Sequence, residues 1–191
     1  MQRKIFIAIA IDEKAKKYID KKIDKIRDKL EVMRWIDRDN YHITLSFLGY
    51  LEDDDLMELC PRIAEVLDGT EIFDIHLNKI ILAPSKENPK MIWLVGDKNQ
   101  QLIELRYKIE QVISNIETCL PAGKVEKKEF RPHINLGKLK GAKLKEDAVE
   151  SADEIEREID LLIPVTGVKI FESKTEKRRQ HYFTIDSIYF D

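Results

Sequence analysis

The chain has 191 residues, 43% apolar and 36% charged, with only seven Gly and six Pro, a composition that excludes disordered and fibrous classes and suits one globular domain. Its formal net charge of −3 argues against bulk attraction to duplex nucleic acid and leaves local capture of a phosphate-bearing end open. No stretch approaches the ~20 apolar residues that span a bilayer, and Cys60 and Cys119 lack CxxC spacing or a nearby histidine, so a cytoplasmic protein with free buried thiols and no zinc set is expected.

Residues Lys4 to Ile11 alternate, with Ile5, Ile7, Ile9 and Ile11 on one face and Ala8 and Ala10 on the other, which reads as a first strand and not as a signal peptide. Asp12 then offers an N-cap to a helix whose apolar stripe is Ala15, Ile19, Ile23, Ile26 and Leu30. A second strand is predicted from Tyr41 to Phe47. Gly49 and the acidic run Glu52 to Asp55 mark the turn into a helix carrying Leu56, Leu59, Cys60, Ile63 and Leu67, with Gly69 as its stop. Phe73, Ile75 and Leu77 alternate as a strand, Pro84 to Pro89 read as a loop and Met91 to Val95 as a strand. A helix bearing Leu102, Leu105, Ile109, Val112 and Ile116 follows, then a linker from Pro121 to Lys128 and a strand from Pro132 to Leu139. A shorter helix around Ile155 and Ile159 is predicted to lead to closing strands Pro164 to Phe171 and Tyr182 to Phe190, joined by a polar turn from Lys174 to Gln180. The sum is an α+β chain with helices on antiparallel sheets. No Pro-rich or Gly/Ser-rich linker divides it, so residues 1–191 are expected to form one domain of two lobes.

Two tetrapeptides stand out, His42-Ile43-Thr44-Leu45 and His133-Ile134-Asn135-Leu136, 91 residues apart. Each follows a predicted helix and lies in a predicted strand. Alternation points His42 with Thr44, and His133 with Asn135, to one face of their strands. If the lobes are related by an approximate two-fold axis, the two imidazoles oppose each other across a cleft. Cleaving a phosphodiester without a metal needs a base for the attacking oxygen and an acid for the leaving one, and histidine serves either role near neutrality. Thr44 and Asn135 can donate to the non-bridging oxygens. A lone strand histidine is more often a packing or surface residue, and His76 and His181, which lack the frame, are read that way. An ion shared by the two motif histidines ranks low, since no Asp or Glu stands at ligand spacing in either motif. Basic residues collect at Arg34 and Arg38, from Lys124 to Arg131, at Lys138 and Lys140, and in Lys177-Arg178-Arg179, the last read as a solvated face.

Together these residues resemble the two-histidine phosphoesterases, and within them the RNA 2′,3′-cyclic phosphodiesterases, also called 2′-5′ RNA ligases. Lys4-Ile5-Phe6-Ile7-Ala8 resembles the family's opening strand. Arg34-Trp35 and His42 to Gly49 resemble its first motif, Phe130 to Leu136 its second, and Phe171-Glu172-Ser173 its closing segment. The resemblance implies two similar α+β lobes facing across a cleft, with no cofactor and no metal. It implies hydrolysis of a terminal 2′,3′-cyclic phosphate to a 2′-phosphate, with His133 as proton acceptor and His42 as proton donor, although the near-symmetric motifs leave the two roles exchangeable. Thr44 and Asn135 would hold the phosphate, joined by Lys138, Phe47 and Arg131 as substrate-binding residues. Phe47 and Trp35 are candidates for stacking on the terminal base, with core packing as the alternative. The implied partner is RNA with 2′,3′-cyclic phosphate termini, tRNA halves among them, bound by a monomer with no membrane contact. Asn135 stands where the family carries Thr or Ser, and Lys138 where many members carry Arg, which costs a bidentate grip. Strict alternation would also turn Lys138 away from the cleft unless the strand bends. A 2′,5′-linked oligonucleotide, a small cyclic nucleotide, the reverse ligation, or RNA-end binding without turnover are the alternatives.

Overall fold

Strand β1 (Arg3–Ala10) is an interior strand, flanked by two others, in one half of a curled antiparallel sheet in a computed structural model. The structure describes residues 2–30, 33–116, 130–139, 146, 149–150, 152–177 and 179–191. Helix α1 (Glu13–Lys29) starts where the Asp12 carboxylate accepts from the Ala15 amide at 2.9 Å, and its stripe from Ala15 to Leu30 is buried as expected. The short strand β2 (Arg34–Trp35) and a 3-10 turn (Arg38–Asn40) lead to β3 (His42–Leu51). Helix α2 (Asp53–Leu67) is opened by reciprocal bonds between Glu52 and Asp55 and buries Leu56, Leu59, Ile63 and Leu67. Strands β4 (Phe73–Ala83) and β5 (Met91–Gly96) come next. Helix α3 (Gln100–Ser114), capped by Asn99, turns Leu102, Leu105, Ile109 and Ile113 inward. Strand β6 (His133–Lys138), the single-turn α4 (Ala152–Ile155), and strands β7 (Arg157–Val165), β8 (Gly167–Glu176) and β9 (Arg179–Tyr189) complete the described chain.

The strands run in the order β7-β4-β5-β6-β3-β1-β8-β9, with β2 paired to the free side of β6. Every neighbouring pair is antiparallel. The order reads outward from its centre as two equivalent sets of four: β3, β1, β8 and β9 on one side, β6, β5, β4 and β7 on the other. A helix joins the inner pair of each set, α1 between β1 and β3 and α3 between β5 and β6. Between the sets the backbone pairing is Ile43 with Ile134 alone, and both side chains are fully buried. Each such isoleucine is worth roughly 1.5–3 kcal/mol in burial, so packing at the junction adds to the short β3–β6 and β2–β6 pairings in holding the two halves together.

The α+β class with two facing antiparallel halves stands, and three local readings are corrected. Gly49 does not end the second strand; it lies within β3 at φ 82, where a left-handed residue continues an irregular ladder. Ile155 and Ile159 do not share a helix. Their four-residue spacing hides a strand, since Ile159, Ile163 and Val165 are buried and Glu158, Asp160 and Leu162 point outward; Pro164 is tolerated because β7 is the sheet's edge. The polar residues Lys174 to Gln180 are not a turn, because β8 and β9 pair out to Glu176 with Arg179. An edge hairpin wet on both faces carries polar residues without breaking, and Lys177, at φ 47, marks the reversal. Cys60 is a free, half-buried thiol. Cys119, the expected linker 121–128, Lys140 and Arg178 lie outside the described residues.

Candidate active site

The two histidines open the two innermost strands and are held by one device used twice. His42 Nδ1 lies 2.7 Å from the carbonyl of Asn40, and His133 Nδ1 lies 3.1 Å from that of Arg131. A carbonyl can only accept, so Nδ1 carries the proton in each neutral ring and Nε2 is left with its lone pair. His42 Nε2 is 3.0 Å from Thr44 Oγ1. Asn135 is oriented by its own backbone, with its Oδ1 accepting from the Gly137 amide at 3.2 Å and its Nδ2 pointing to Met91 Sδ at 3.7 Å. A thioether is a weak acceptor, so this amide keeps donor capacity for a stronger one.

Two matched bulges then determine which residues follow. Along β3 the register passes from Thr44 opposite Ala8 to Ser46 opposite Ile7, leaving Leu45 without a partner. Along β6 it passes from Asn135 opposite Trp93 to Gly137 opposite Ile92, leaving Leu136 without one. An extra residue reverses the alternation, so positions five beyond each histidine, Phe47 and Lys138, return to the face that bears the imidazoles. This is the bend that the sequence alone could not supply for Lys138. Gly137 also sits against β2, where a Cβ would run into the Met33 methyl.

His42, Thr44, Phe47, His133, Asn135 and Lys138 line one cavity of about 510 Å³ between the halves. Among the described residues no carboxylate lines it, and Lys4 and Lys138 are cations that do, so its field favours an anion. Phe6 lies 5.0 Å from the His42 ring and Tyr182 meets that ring edge-on at 5.1 Å, while Trp93 stacks on His133 at 4.3 Å. Burial pushes both histidines below their ordinary value. Each bond to a carbonyl works the other way, and charge on His133 lowers His42 further. Both rings are therefore mainly neutral at pH 7.

Arg131 is not part of this wall. It precedes β6, its side chain is exposed and its carbonyl is what reaches His133. Trp35 lies outside the cavity too, under the Arg27 guanidinium. His76 is on the far strand β4, 2.8 Å from Asp160. Phe6, Trp93, Tyr182 and Gln180 were not foreseen as wall residues. Phe6 had a signal, since it shares a face with Ala8 and Ala10 opposite the isoleucine stripe of β1; Trp93 and Tyr182 depend on strand partnering. Among the described residues no three His, Cys, Asp or Glu side chains gather closely enough to share an ion, and no helix is long and apolar enough to cross a membrane.

The likeness read from the two motifs is borne out by comparison with known proteins. Residues 11–93 match the family model of LigT like phosphoesterases. A protein of Aeropyrum pernix named RNA 2′,3′-cyclic phosphodiesterase is 30% identical over 112 residues, 58% of this chain and 60% of its own length. A Thermotoga maritima protein of the same name is 25% identical over 71% of this chain and 69% of its own. The chain thus spans about three-fifths of the first relative and little over two-thirds of the second. In fold, the crystal structure of E. coli LigT complexed with 3′-AMP superposes with a TM-score of 0.75 at 20% identity, covering 100% of this chain and 99% of that one.

Proposed function

We propose that this chain is an RNA 2′,3′-cyclic phosphodiesterase that opens terminal cyclic phosphates to 2′-phosphates by general acid and base catalysis without a metal. The observation that carries the reading is the pair of imidazoles, each tied at Nδ1 to a carbonyl two residues earlier and lining one carboxylate-free cavity. The names borne by the relatives supply the substrate class. In the proposed reaction His133 Nε2 takes a proton from water as its oxygen attacks phosphorus. The bond from phosphorus to the ribose 3′-oxygen breaks, and that oxygen takes the Nε2 proton of His42, which enters this step as the doubly protonated imidazolium. The product is a 2′-phosphate and a 3′-hydroxyl, and one further proton exchange with solvent resets the pair.

Thr44 Oγ1 and Asn135 Nδ2 donate to the non-bridging oxygens as charge builds, each such donor being worth about 10²–10³ in rate when held in place. Lys138 contributes charge from the second half, and Phe47, 60% exposed, offers a face on which the terminal base can stack. Both histidines come from one chain, so a monomer suffices, and we place it in the cytoplasm, on RNA ends such as those of tRNA halves. Incubating the protein with a short RNA ending in a 2′,3′-cyclic phosphate, with EDTA present, tests the proposal. Conversion to a 2′-phosphate by the wild type and by neither His42→Ala nor His133→Ala is the expected result. Tight binding by folded wild type without turnover would overturn it in favour of an RNA-end binding protein.

A further inference from the structure

Beside the cleft lies a second, larger depression of about 710 Å³, bounded by β2, the 3-10 turn and the start of β9. Ile36, Asn40, Lys138, Gln180 and Tyr182 line both cavities, so the two lie on either side of a common wall. That wall is built: Asn40 Nδ2 donates to the Gln180 carbonyl at 2.8 Å, tying the 3-10 turn to β9 across the chain. The depression is lined by five cations, Arg27, Arg34, Arg38, Lys138 and Arg179, and by Asp20, Asp37 and Asp39. Arg27 and Asp20 form an ion pair at 2.6 Å, and the Asp37 carboxylate accepts from the Asp39 amide. Among the described residues that line it, cations outnumber carboxylates by five to three, on a chain whose net charge is −3. The positive surplus is therefore local to this groove.

We infer that the groove binds the RNA strand on the 5′ side of the cyclic end, with its phosphodiesters against Arg38 and Arg179, and makes the enzyme selective for oligonucleotides over mononucleotides. The inference rests on the function proposed above. A terminal cyclic phosphate in the cleft leaves its ribose attached to a strand that must exit somewhere, and the wall shared past Lys138 and Gln180 gives it a cationic path. The volume lies in the ~300–1,000 Å³ range that encloses a drug-sized, and hence nucleotide-sized, ligand. Phosphate contacts of this kind position a strand without reading its sequence, and Arg179, part of a run that reads from sequence as a solvated face, acquires a partner.

The test compares a 2′,3′-cyclic mononucleotide with a tetranucleotide ending in the same cyclic nucleotide, for wild type and the double variant Arg38→Gln/Arg179→Gln. Wild type is expected to show kcat/KM at least about tenfold higher on the tetranucleotide in low salt, with log(kcat/KM) falling against log[salt] by about 0.7 per phosphate contact. The double variant should lose the preference and about 1.4 units of that slope, two contacts' worth, while turning over the mononucleotide at the wild-type rate, which also reports that it is folded. Equal use of both substrates by wild type, or a preference that survives in the double variant, would overturn the groove and leave the phosphodiesterase reading intact. Turnover of neither substrate by folded wild type would overturn both.

Discussion

The two halves of the molecule share a backbone plan and differ in the chemistry hung on it. Each opens its inner strand with a histidine tied back to a carbonyl, skips one leucine in a bulge, and returns the residue five positions on to the cleft. At those matched positions the first half presents a hydroxyl and an aromatic ring, Thr44 and Phe47, and the second an amide and a cation, Asn135 and Lys138. The aromatic neighbours differ likewise: His42 has Phe6 and the edge of Tyr182, His133 the face of Trp93. Symmetric geometry brings two matched imidazoles to one cavity, and the asymmetric decoration would give a substrate of the proposed kind a preferred direction across the site.

The comparison is most severely tested at the imidazoles. His42→Ala and His133→Ala should each lower kcat by about 10²–10⁴, and the double variant should be little worse than either single one, since the two groups act as a unit; steady-state rates on cyclic-phosphate RNA decide this. At the next position, Thr44→Ala should cost about 10² in kcat, whereas Asn135→Thr, which makes the halves alike, should leave kcat within about tenfold of wild type. Five residues beyond the histidines the halves should separate by salt dependence. Lys138→Gln should flatten the dependence of log KM on log[salt] by about 0.7, while Phe47→Ala should raise KM by the ~1–3 kcal/mol of a lost stack with no change in slope. At the junction, Ile43→Val and Ile134→Val should each cost about 0.5–1.5 kcal/mol in urea unfolding, with the pair non-additive because the residues touch.

The smallest effect is in the pH profile. The base must be neutral, so activity rises with pH through its apparent pKa; the acid must be protonated, so activity falls through its own. Burial lowers both histidines, and the bell should therefore centre on the acid side of the ordinary value of 6.5, with apparent values belonging to the pair. The same shifts affect folding. The unfolded chain takes up these protons near 6.5 and the native one only below it, so stability is complete above that pH and declines as pH falls through it. Melting temperatures measured from pH 8 to 5 should show the decline, reduced in His42→Ala.

Much of this arrangement was legible in the chain because it is local. The α1 stripe, the Asp12 cap and the strand bearing His133 each follow from spacing within one segment, and repetition of the His-Ile-polar-Leu pattern was enough to pair residues from opposite halves. What was missed depends on partners distant in sequence. Trp93 reaches His133 only because β5 pairs with β6, and Tyr182 reaches His42 only because β9 closes beside β8 and β1. Lys138 faced the wrong way on paper because a bulge is a property of two strands and cannot be read from one. Ile159 misled because a spacing of four is even, and so fits a strand's period of two as well as a helical face.

The interleaving of the halves along the chain bears on the order in which the site is made. Residues 73–165 supply β4, β5, β6 and β7, one half in a single uninterrupted stretch, whereas the other half begins with β1 and β3 and must wait for β8 and β9. On the ribosome both histidines emerge well before Gln180 and Tyr182, and until then β1 offers its outer edge, an open template for pairing with another chain. Strands β8 and β9, made after both histidines, thus seal that edge and furnish part of the wall that the cleft and the basic groove share. A chain stopped after Val165 would hold the full pair of proton carriers beside an unsealed edge, prone to association and lacking the site's third side.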